Sequence, residues 1–427
     1  MRTFSIKTLG CKFNQYESGR LARVLEEAGW AARPVGEKVD LALVNTCTVT
    51  NKSDRKCRNV IRQSARNSVL GKAVVTGCLV NRDSGGVTGM PEVTAVFDSR
   101  QEAALLELSQ RLFPDSQAQA PGGPAPPEER APTRFLRTDG YIKIQDGCDA
   151  QCSYCIVPSV RGKPQSISRA RILEHTRRLV SQGCPELILT GITIGKYRDG
   201  NADLAGLTEE ITGIDGNFRV RLSSLEPGHI TDKLIDLLGH GKLCRHLHIP
   251  LQSGSDTVLE RMGRPYRAEE FLRTVERIRW RQPLVCIGTD IIVGFPGESA
   301  DDFEQTLQMV RQASFAYVHQ FTFSPRSGTP AANLPGCSPQ ETARRAQRLR
   351  ELALQKGLAY RANFVGQVLD CVVEFSRQQG RHTAVSDNYI KISLEDSGLS
   401  ARAEGRIAKV RIESAEPRKT RGTLVEA

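Results

Sequence analysis

Apolar positions along this chain gather in short runs of strand-like composition, separated by longer stretches with helical spacing. Before residue 113 the runs are FSIKTLG from Phe4, VDLALVNTC from Val39, AVVTGC from Ala73 and TAVFD from Thr94, with helical patterns from Asn14 to Ala28 and from Ser53 to Arg66. Strands alternating with helices predict a parallel sheet in an open α/β domain. A second series follows: YIKIQ, ELILTG, RVRLSSLE, RHLHIPLQ, CIGTDIIVGF and YVHQFTF, again with helical stretches between them. Six such units in about 180 residues fall short of the roughly 250 of a complete eight-stranded barrel, so a partial (β/α)6 barrel is expected. After Phe364 the pattern changes to QVLDCVVEF, NYIKISL and GRIAKVRIES, short strands that predict a small β-barrel. The helix before it places Ala346, Leu349, Leu352 and Ala353 toward a core. Pro114 to Arg134 holds six prolines and two glycines with no apolar period and reads as a linker. The expected segments are 1–113, 114–134, 135–361 and 362–427.

Composition narrows the setting. The 427 residues are 39% hydrophobic, enough for two or three domains with real cores. No stretch approaches the ~18 apolar residues of a membrane span, and MRTFSIKTLG has no apolar run behind a basic start, so a cytoplasmic protein without membrane contact is expected. A formal charge of +11 suggests an anionic partner, nucleic acid first, against the plainer reading of a solvated basic surface. The basic residues are spread over several segments: the helix after Cys47, the helix before Phe364, and Arg402, Arg406, Lys409, Arg411, Arg418, Lys419 and Arg421 near the end. That distribution suits the phosphates of a folded RNA.

Twelve cysteines in a large cytosolic chain point to metal binding or catalysis rather than disulfides. Cys11, Cys47 and Cys78 each fall just past the end of a strand, and in an open parallel sheet those ends form one crevice. Each could instead be a small buried hydrophobe. Each follows a Gly or Thr in a turn-like context, which favours a ligand set. Cys148, Cys152 and Cys155, in DGCDAQCSYCIVPSVRG, follow the first strand of the second series and so sit at the mouth of the expected barrel. Structural zinc wants four protein ligands. A 4Fe-4S cluster on three thiolates leaves one iron open to an outside ligand. Gly147, Asp149, Ser153 and Pro158 argue against the three being one face of a buried helix. Tyr154 either covers the cluster edge or packs into the barrel mouth. Cys57, Cys184, Cys244, Cys286, Cys337 and Cys371 are expected to be structural.

CDAQCSYC resembles the CxxxCxxC loop of the radical S-adenosylmethionine enzymes. TLGCKFNQYES, NTCTVT and VTGC resemble the three-cysteine domain of the methylthiotransferases within that superfamily, and the likeness runs from about residue 3 to 425. The branch acting on isopentenyladenosine in tRNA usually carries Gln-Met-Asn after its first cysteine, and the branch acting on an aspartate of a ribosomal protein carries Pro-Lys-Asn. CKFNQYES, NTCTVTNKSDRK, KIQDGC and HLHIPLQSGS look most like the branch that methylthiolates threonylcarbamoyladenosine beside the anticodon, at position 37 of tRNA.

The resemblance implies two 4Fe-4S clusters, one on Cys148, Cys152 and Cys155, the other on Cys11, Cys47 and Cys78. It implies S-adenosylmethionine cleaved to a radical that takes hydrogen from carbon 2 of the adenine, and a methylthio group delivered from the second cluster. Cofactor contacts are expected from Val157, Gly191, Glu226, Gln252, Ser253, Ile292, Gly294 and Phe295. Arg326 is a candidate substrate contact or a solvated turn charge, and His246 and His248 are expected to line the barrel. The implied partners are the anticodon loop of tRNA, a reductant such as flavodoxin or ferredoxin, and a sulfur donor. The C-terminal strands resemble the RNA-binding TRAM domain. The alternatives are isopentenyladenosine in tRNA, a ribosomal protein, and a non-catalytic RNA-binding iron-sulfur protein.

Overall fold

The computed structural model describes residues 1–114, 139–239, 241–376, 381–394 and 403–426. The Pro-rich linker and Arg402 lie outside the described residues. The chain divides into two compact units: Met1–Leu136 with Gly147–Asp149 and Cys155–Lys163, and Arg137–Asp146 with Ala150–Tyr154 and Pro164–Ala427.

In the first unit five parallel strands lie in the order Ala31–Ala32, Thr3–Thr8, Leu41–Thr46, Ala73–Gly77, Val93–Val96. The two strands Leu41–Thr46 and Ala73–Gly77 are buried at every residue, as expected of parallel strands covered on both faces. Alternation splits them between two cores. Val44 and Val75 pack with Cys57, Val60, Ile61 and Ala65 of the helix Asn51–Asn67. Leu41, Leu43 and Val74 pack with Leu21 and Leu25 of the helix Lys12–Glu27 and with Leu105 and Leu108 of Glu102–Leu112. The last helix was not anticipated, because EAALLELSQRLF runs straight into the Pro-rich stretch and has no distinct stop signal.

All six expected core strands are present in the second unit. Asp139–Lys143, Glu186–Thr190 and Arg219–Leu222 form one parallel sheet, and His246–His248, Cys286–Val293 and Tyr317–Thr322 form another. Parallel bridges Val220 to Leu243 and Ser224 to His248 continue one sheet into the next. The result is the partial barrel, with Leu247, Ile249, Ile287, Thr289 and Ile291 fully buried on one face and charged or aromatic residues on the other. The C-terminal strands close into a five-stranded barrel in the order Val368–Ser376, Arg381–Ser386, Lys391–Leu394, Thr420–Glu426, Ile407–Ala415. Its core holds Leu369, Cys371, Val373, Ile392, Leu394, Val410 and Ile412. The helix Pro339–Ala362 leads into it; Ala346 and Leu349 are buried, Leu352 and Ala353 half-buried.

Three arginines of the larger barrel hold the small one. Arg219 donates to the carbonyls of Asp370 and Val385 at 3.0 and 2.7 Å, and Arg221 to those of Asp387 and Ser386 at 2.9 and 3.0 Å. Arg245 grips the Asp387 carboxylate through both oxygens at 2.6 and 3.1 Å. Both buried guanidiniums, Arg219 and Arg221, are neutralised by Glu186, 2.5 Å from the first and 2.7 Å from the second. Burial pushes the Glu186 carboxyl up, but the two guanidiniums outweigh it and hold the group well below the usual carboxylate range. Its stabilisation is therefore full at neutral pH and drains only as pH falls below that range. Glu186→Ala is expected to cost about 3–5 kcal/mol, since it leaves two buried cations without their anion. Thermal melts at pH 7 check this, and the acid side of the melting curve should lose its Glu186-dependent fall in the variant.

Candidate functional site

The first thiol trio occupies one edge of the N-terminal sheet. Cys11 caps the helix Lys12–Glu27, Cys47 follows the strand Leu41–Thr46, and Cys78 opens the short helix Cys78–Arg82 directly after Ala73–Gly77. The thiols sense one another. Burial pushes Cys78 up to about 12, with Arg161 opposing and Glu17, Cys11 and Cys47 adding to the rise. Burial also raises Cys47, and Cys11 adds to it. Bare thiolates would repel here, and a cationic metal group held by all three removes that cost. Three soft sulfur donors suit an iron-sulfur cluster.

The backbone is shaped around this edge. Gly77 has φ +96°, and a Cβ there would lie 2.4 Å from Asn45 Oδ1 and 2.5 Å from the Thr46 carbonyl, so no larger residue fits before Cys78. Cys57 is buried, donates to the Cys47 carbonyl at 3.3 Å and accepts from the Cys47 amide at 3.4 Å, which makes it a support for the ligand loop. Beneath the trio, Asn14 Nδ2 donates to the carbonyls of Leu9 and Thr46 at 2.8 and 2.9 Å, and Cys11 Sγ lies 3.7 Å from Asn14 Oδ1. Arg161, at the end of the helix Val157–Arg161, donates to Asn14 Oδ1 at 2.9 Å and to both Glu17 oxygens at 2.6 and 3.1 Å. Its guanidinium also lies 4.4 Å from the Phe13 ring centroid. Ser99 Oγ and the Arg20–Glu102 pair complete the buried network around Glu17. Asn14, Glu17 and Arg161 were not anticipated from sequence. Three polar residues at 1, 1 and 6% exposure were the available signal, but only the fold reveals that burial.

The second loop contributes to both units. Cys148 and Cys155 belong to the first unit and Cys152 to the second. The Cys148 amide donates to the Gly162 carbonyl at 2.9 Å; at Gly147, φ +74°, a Cβ would lie 2.1 Å from the Lys163 carbonyl. On the other side, the Ser153 amide donates to the Met262 carbonyl at 2.9 Å, Ser153 Oγ to the Arg261 carbonyl at 2.7 Å, and Arg264 Nη1 to Cys152 Sγ at 3.4 Å. Tyr154 packs edge-on to Phe295, 6.3 Å between centroids, with Phe323 beyond. The loop therefore resolves the role of Tyr154 as packing into the barrel mouth.

The strand-end residues have distinct surroundings. Gly191 follows Glu186–Thr190, and a Cβ there would lie 2.6 Å from the Gln145 carbonyl. The buried Gln145, missed by sequence reading, holds this loop by accepting from the amides of Ile192 and Thr193 at 3.1 and 2.6 Å. Glu226 is paired with Arg264, and burial raises its carboxyl despite that pairing. Gln252 has φ +67°, a conformation few non-glycine residues hold, fixed by hydrogen bonds to the Asp290 carbonyl and from the Ile292 amide at 2.8 and 2.9 Å. Ser253 is fully buried, with its hydroxyl 3.3 Å from Thr306 Oγ1, and Phe295 is fully buried in the aromatic cluster. Ile292 packs at that cluster's margin, and the Gly294 amide donates to Glu298 at 2.8 Å. Val157 is half-buried at the start of the Val157–Arg161 helix.

His246 and His248 share one face and both meet the Tyr317 hydroxyl, at 2.8 and 3.1 Å. Burial pushes the Asp290 carboxyl up, but His248 and His319 outweigh it and hold it at about 2. These histidines are lining residues in a polar chain. Arg326, expected in solvent or on substrate, is fully buried, and its carbonyl caps the turn at Thr329.

The family described as Radical SAM superfamily matches residues 142–310, and the Uncharacterized protein family UPF0004 matches residues 3–98. A curated protein of Thermotoga maritima named Threonylcarbamoyladenosine tRNA methylthiotransferase MtaB is 35% identical over 92% of this chain and 91% of its own length. Its Bacillus subtilis namesake is 33% identical over 96% and 94%. The chain belongs to the radical S-adenosylmethionine methylthiotransferases. A Ruegeria pomeroyi relative named tRNA-2-methylthio-N(6)-dimethylallyladenosine synthase is 34% identical to this methylthiotransferase over 95% of each chain. Among solved structures, the radical S-adenosylmethionine methyltransferase TsrM from Kitasatospora setae superposes with TM-score 0.57 at 16% identity, covering 78% of this chain and 77% of its own, a likeness of fold.

In this methylthiotransferase the buried Arg161–Glu17 pair gives a direct test of the network beneath the thiol trio. Arg161→Met is expected to cost about 3–5 kcal/mol, because Glu17 loses its guanidinium. The double variant Arg161→Met with Glu17→Gln should recover part of that loss. Denaturant titration of the single and double variants measures the coupling.

Proposed function

We propose that this methylthiotransferase adds a methylthio group to carbon 2 of threonylcarbamoyladenosine at position 37 of tRNA. Two separate three-thiol sets in one chain carry the reaction class, since each suits a cluster with an open iron. The three relatives named above all bear names of tRNA-modifying enzymes. The choice of modified adenosine rests on CKFNQYES and NTCTVTNKSDRK, whose residues after the first cysteine differ from Gln-Met-Asn. The isopentenyladenosine reading stays as the second one, because 34% identity to the Ruegeria pomeroyi relative is level with the other two.

Cys148, Cys152 and Cys155 would hold one cluster and Cys11, Cys47 and Cys78 the other. When bound, these groups supply one-electron cleavage of S-adenosylmethionine and a carrier for sulfur. The protein's own task is to bind, orient and keep water out. Gly191 and Gly294 bring backbone close to the cofactor, and Glu226 and Gln252 offer polar groups for its amino, carboxylate and ribose parts. Ile292 and Val157 offer apolar surface and backbone for its adenine. Ser253 and Phe295, both buried, act by bracing the loops that carry these groups. Arg264 joins Glu226 to the Cys152 sulfur, so the cofactor end and the thiol loop are held at one distance. A flavodoxin or ferredoxin would supply electrons, in the cytoplasm where tRNA is modified.

Mass spectrometry of tRNA nucleosides from cells lacking the gene should show threonylcarbamoyladenosine accumulating without its methylthio form. Normal methylthiolation of that nucleoside in the deletion strain would defeat the proposal. Changing Cys11, Cys47 and Cys78 together to Ala should remove about half the iron and sulfide of the reconstituted protein, given two 4Fe-4S clusters. An unchanged iron content would defeat the two-cluster assignment.

A further inference from the structure

A cavity of about 270 Å³ lies where the larger barrel meets the small one, with Tyr317, Tyr389, Lys391, Arg418 and Lys419 in its wall. That is just under the ~300–1,000 Å³ of typical pockets for drug-sized ligands. Cys286 and Ala316, also in the wall, stand at the amino ends of their strands. Chemistry in such barrels gathers at the carboxyl ends, so this cavity is apart from the reacting centre.

Its floor is aromatic. The rings of Tyr317 and Tyr389 lie 5.5 Å apart at 43°, and Lys391 Nζ is 5.7 Å from the Tyr389 ring centroid. Tyr389 has φ +62°, which a bulky residue adopts only when its surroundings enforce it. The turn enforces it: the Tyr389 amide donates to the Ser386 carbonyl at 3.0 Å, and Ser386 Oγ accepts from the Ile390 amide at 2.9 Å. The strained turn aims the ring into the seam, 4.3 Å from His246 and 5.1 Å from the Arg221 guanidinium.

Its rim is cationic and uncompensated. Lys391, Arg418 and Lys419 have no acidic partner among the described residues, whereas neighbouring Arg421 pairs with Glu416 at 3.2 Å and Lys409 with Asp370 at 2.9 Å. Arg361 donates to the carbonyls of Glu416 and Pro417 at 2.7 and 3.0 Å, fixing the turn that presents Arg418 and Lys419. Aromatic surface for a base beside free cations for a phosphate is the chemistry that single-stranded nucleic acid requires.

We propose that this cavity binds one nucleotide of the substrate RNA other than the reacting adenosine, its base against Tyr317 and Tyr389 and its phosphate on Lys391, Arg418 and Lys419. The site rests on the reading of tRNA as substrate. It gives the enzyme a second grip on the RNA about one strand length, ~20 Å, from the chemistry.

The test is fluorescence anisotropy of labelled tRNA with the full-length, cluster-loaded protein across a salt series. Lys391→Ala, Arg418→Ala and Lys419→Ala combined should weaken binding by about tenfold or more and flatten the salt slope by about 2–3, one for each lost phosphate contact. Ultraviolet crosslinking of tRNA to the unaltered protein should yield a peptide containing Tyr389. If the unaltered protein binds tRNA and the triple variant keeps both affinity and slope, the cavity assignment is overturned while the tRNA reading stands. If the unaltered protein does not bind tRNA, both are overturned. AMP saturating the cavity while the triple variant still binds tRNA normally would assign it to a free nucleotide instead, as would crosslinks that never reach the Tyr389 peptide.

Discussion

Burial of the Arg161 guanidinium is the constraint on which the first unit hangs. A cation at 6% exposure has to be matched, and its partners Glu17 and Asn14 both stand on the helix that begins just after Cys11. The Asn14 amide in turn holds the carbonyls of Leu9 and Thr46, the first two residues before Cys11 and the second next to Cys47. One guanidinium thereby ties together two ligand positions of the sheet edge and the exit of the loop that follows Cys155. Its field also opposes the burial that raises the Cys78 thiol. Moving any one of these groups disturbs the others, because an interior this polar has few alternative pairings of equal energy.

The second unit uses charge in a different way. Glu186, Arg219 and Arg221 occupy a barrel interior that aliphatic residues could fill, and they extend beyond it to the small barrel. Higher on the same walls lie His246, Tyr317, His248 and Asp290, a continuous polar chain. The apolar contacts that stabilise the barrel are on its outer face, under the helices. Its inner face is free to carry polar groups because they satisfy one another.

Much of this was legible in the chain. Strand-like runs between helical patterns located both parallel sheets, since a buried parallel strand is a nearly continuous apolar run and LALV and AVVTG are unambiguous. Thiols after strand ends marked the sheet edge because topology alone sends those ends to one side. What stayed hidden depends on contacts between distant segments. Arg161 and Glu17 are separated by 144 positions, and Arg264 meets Cys152 across 112. Nothing local distinguishes Arg161 from the solvated arginines around it. Arg326 was misread for the same reason: its turn-like neighbours suggest solvent, while the fold buries it. The strain at Gln252 and Tyr389 was equally invisible, as neither residue type advertises a positive φ.

The manner in which the small barrel is held has an evolutionary corollary. Arg219 and Arg221 grip main-chain carbonyls of Asp370, Val385, Ser386 and Asp387, not side chains, leaving only the Arg245–Asp387 pair dependent on residue type. A carbonyl is present whatever amino acid occupies the position. The seam thus tolerates drift in the sequence of the appended barrel, so its outward surface can diversify toward new RNAs while the joint to the catalytic barrel is inherited unchanged.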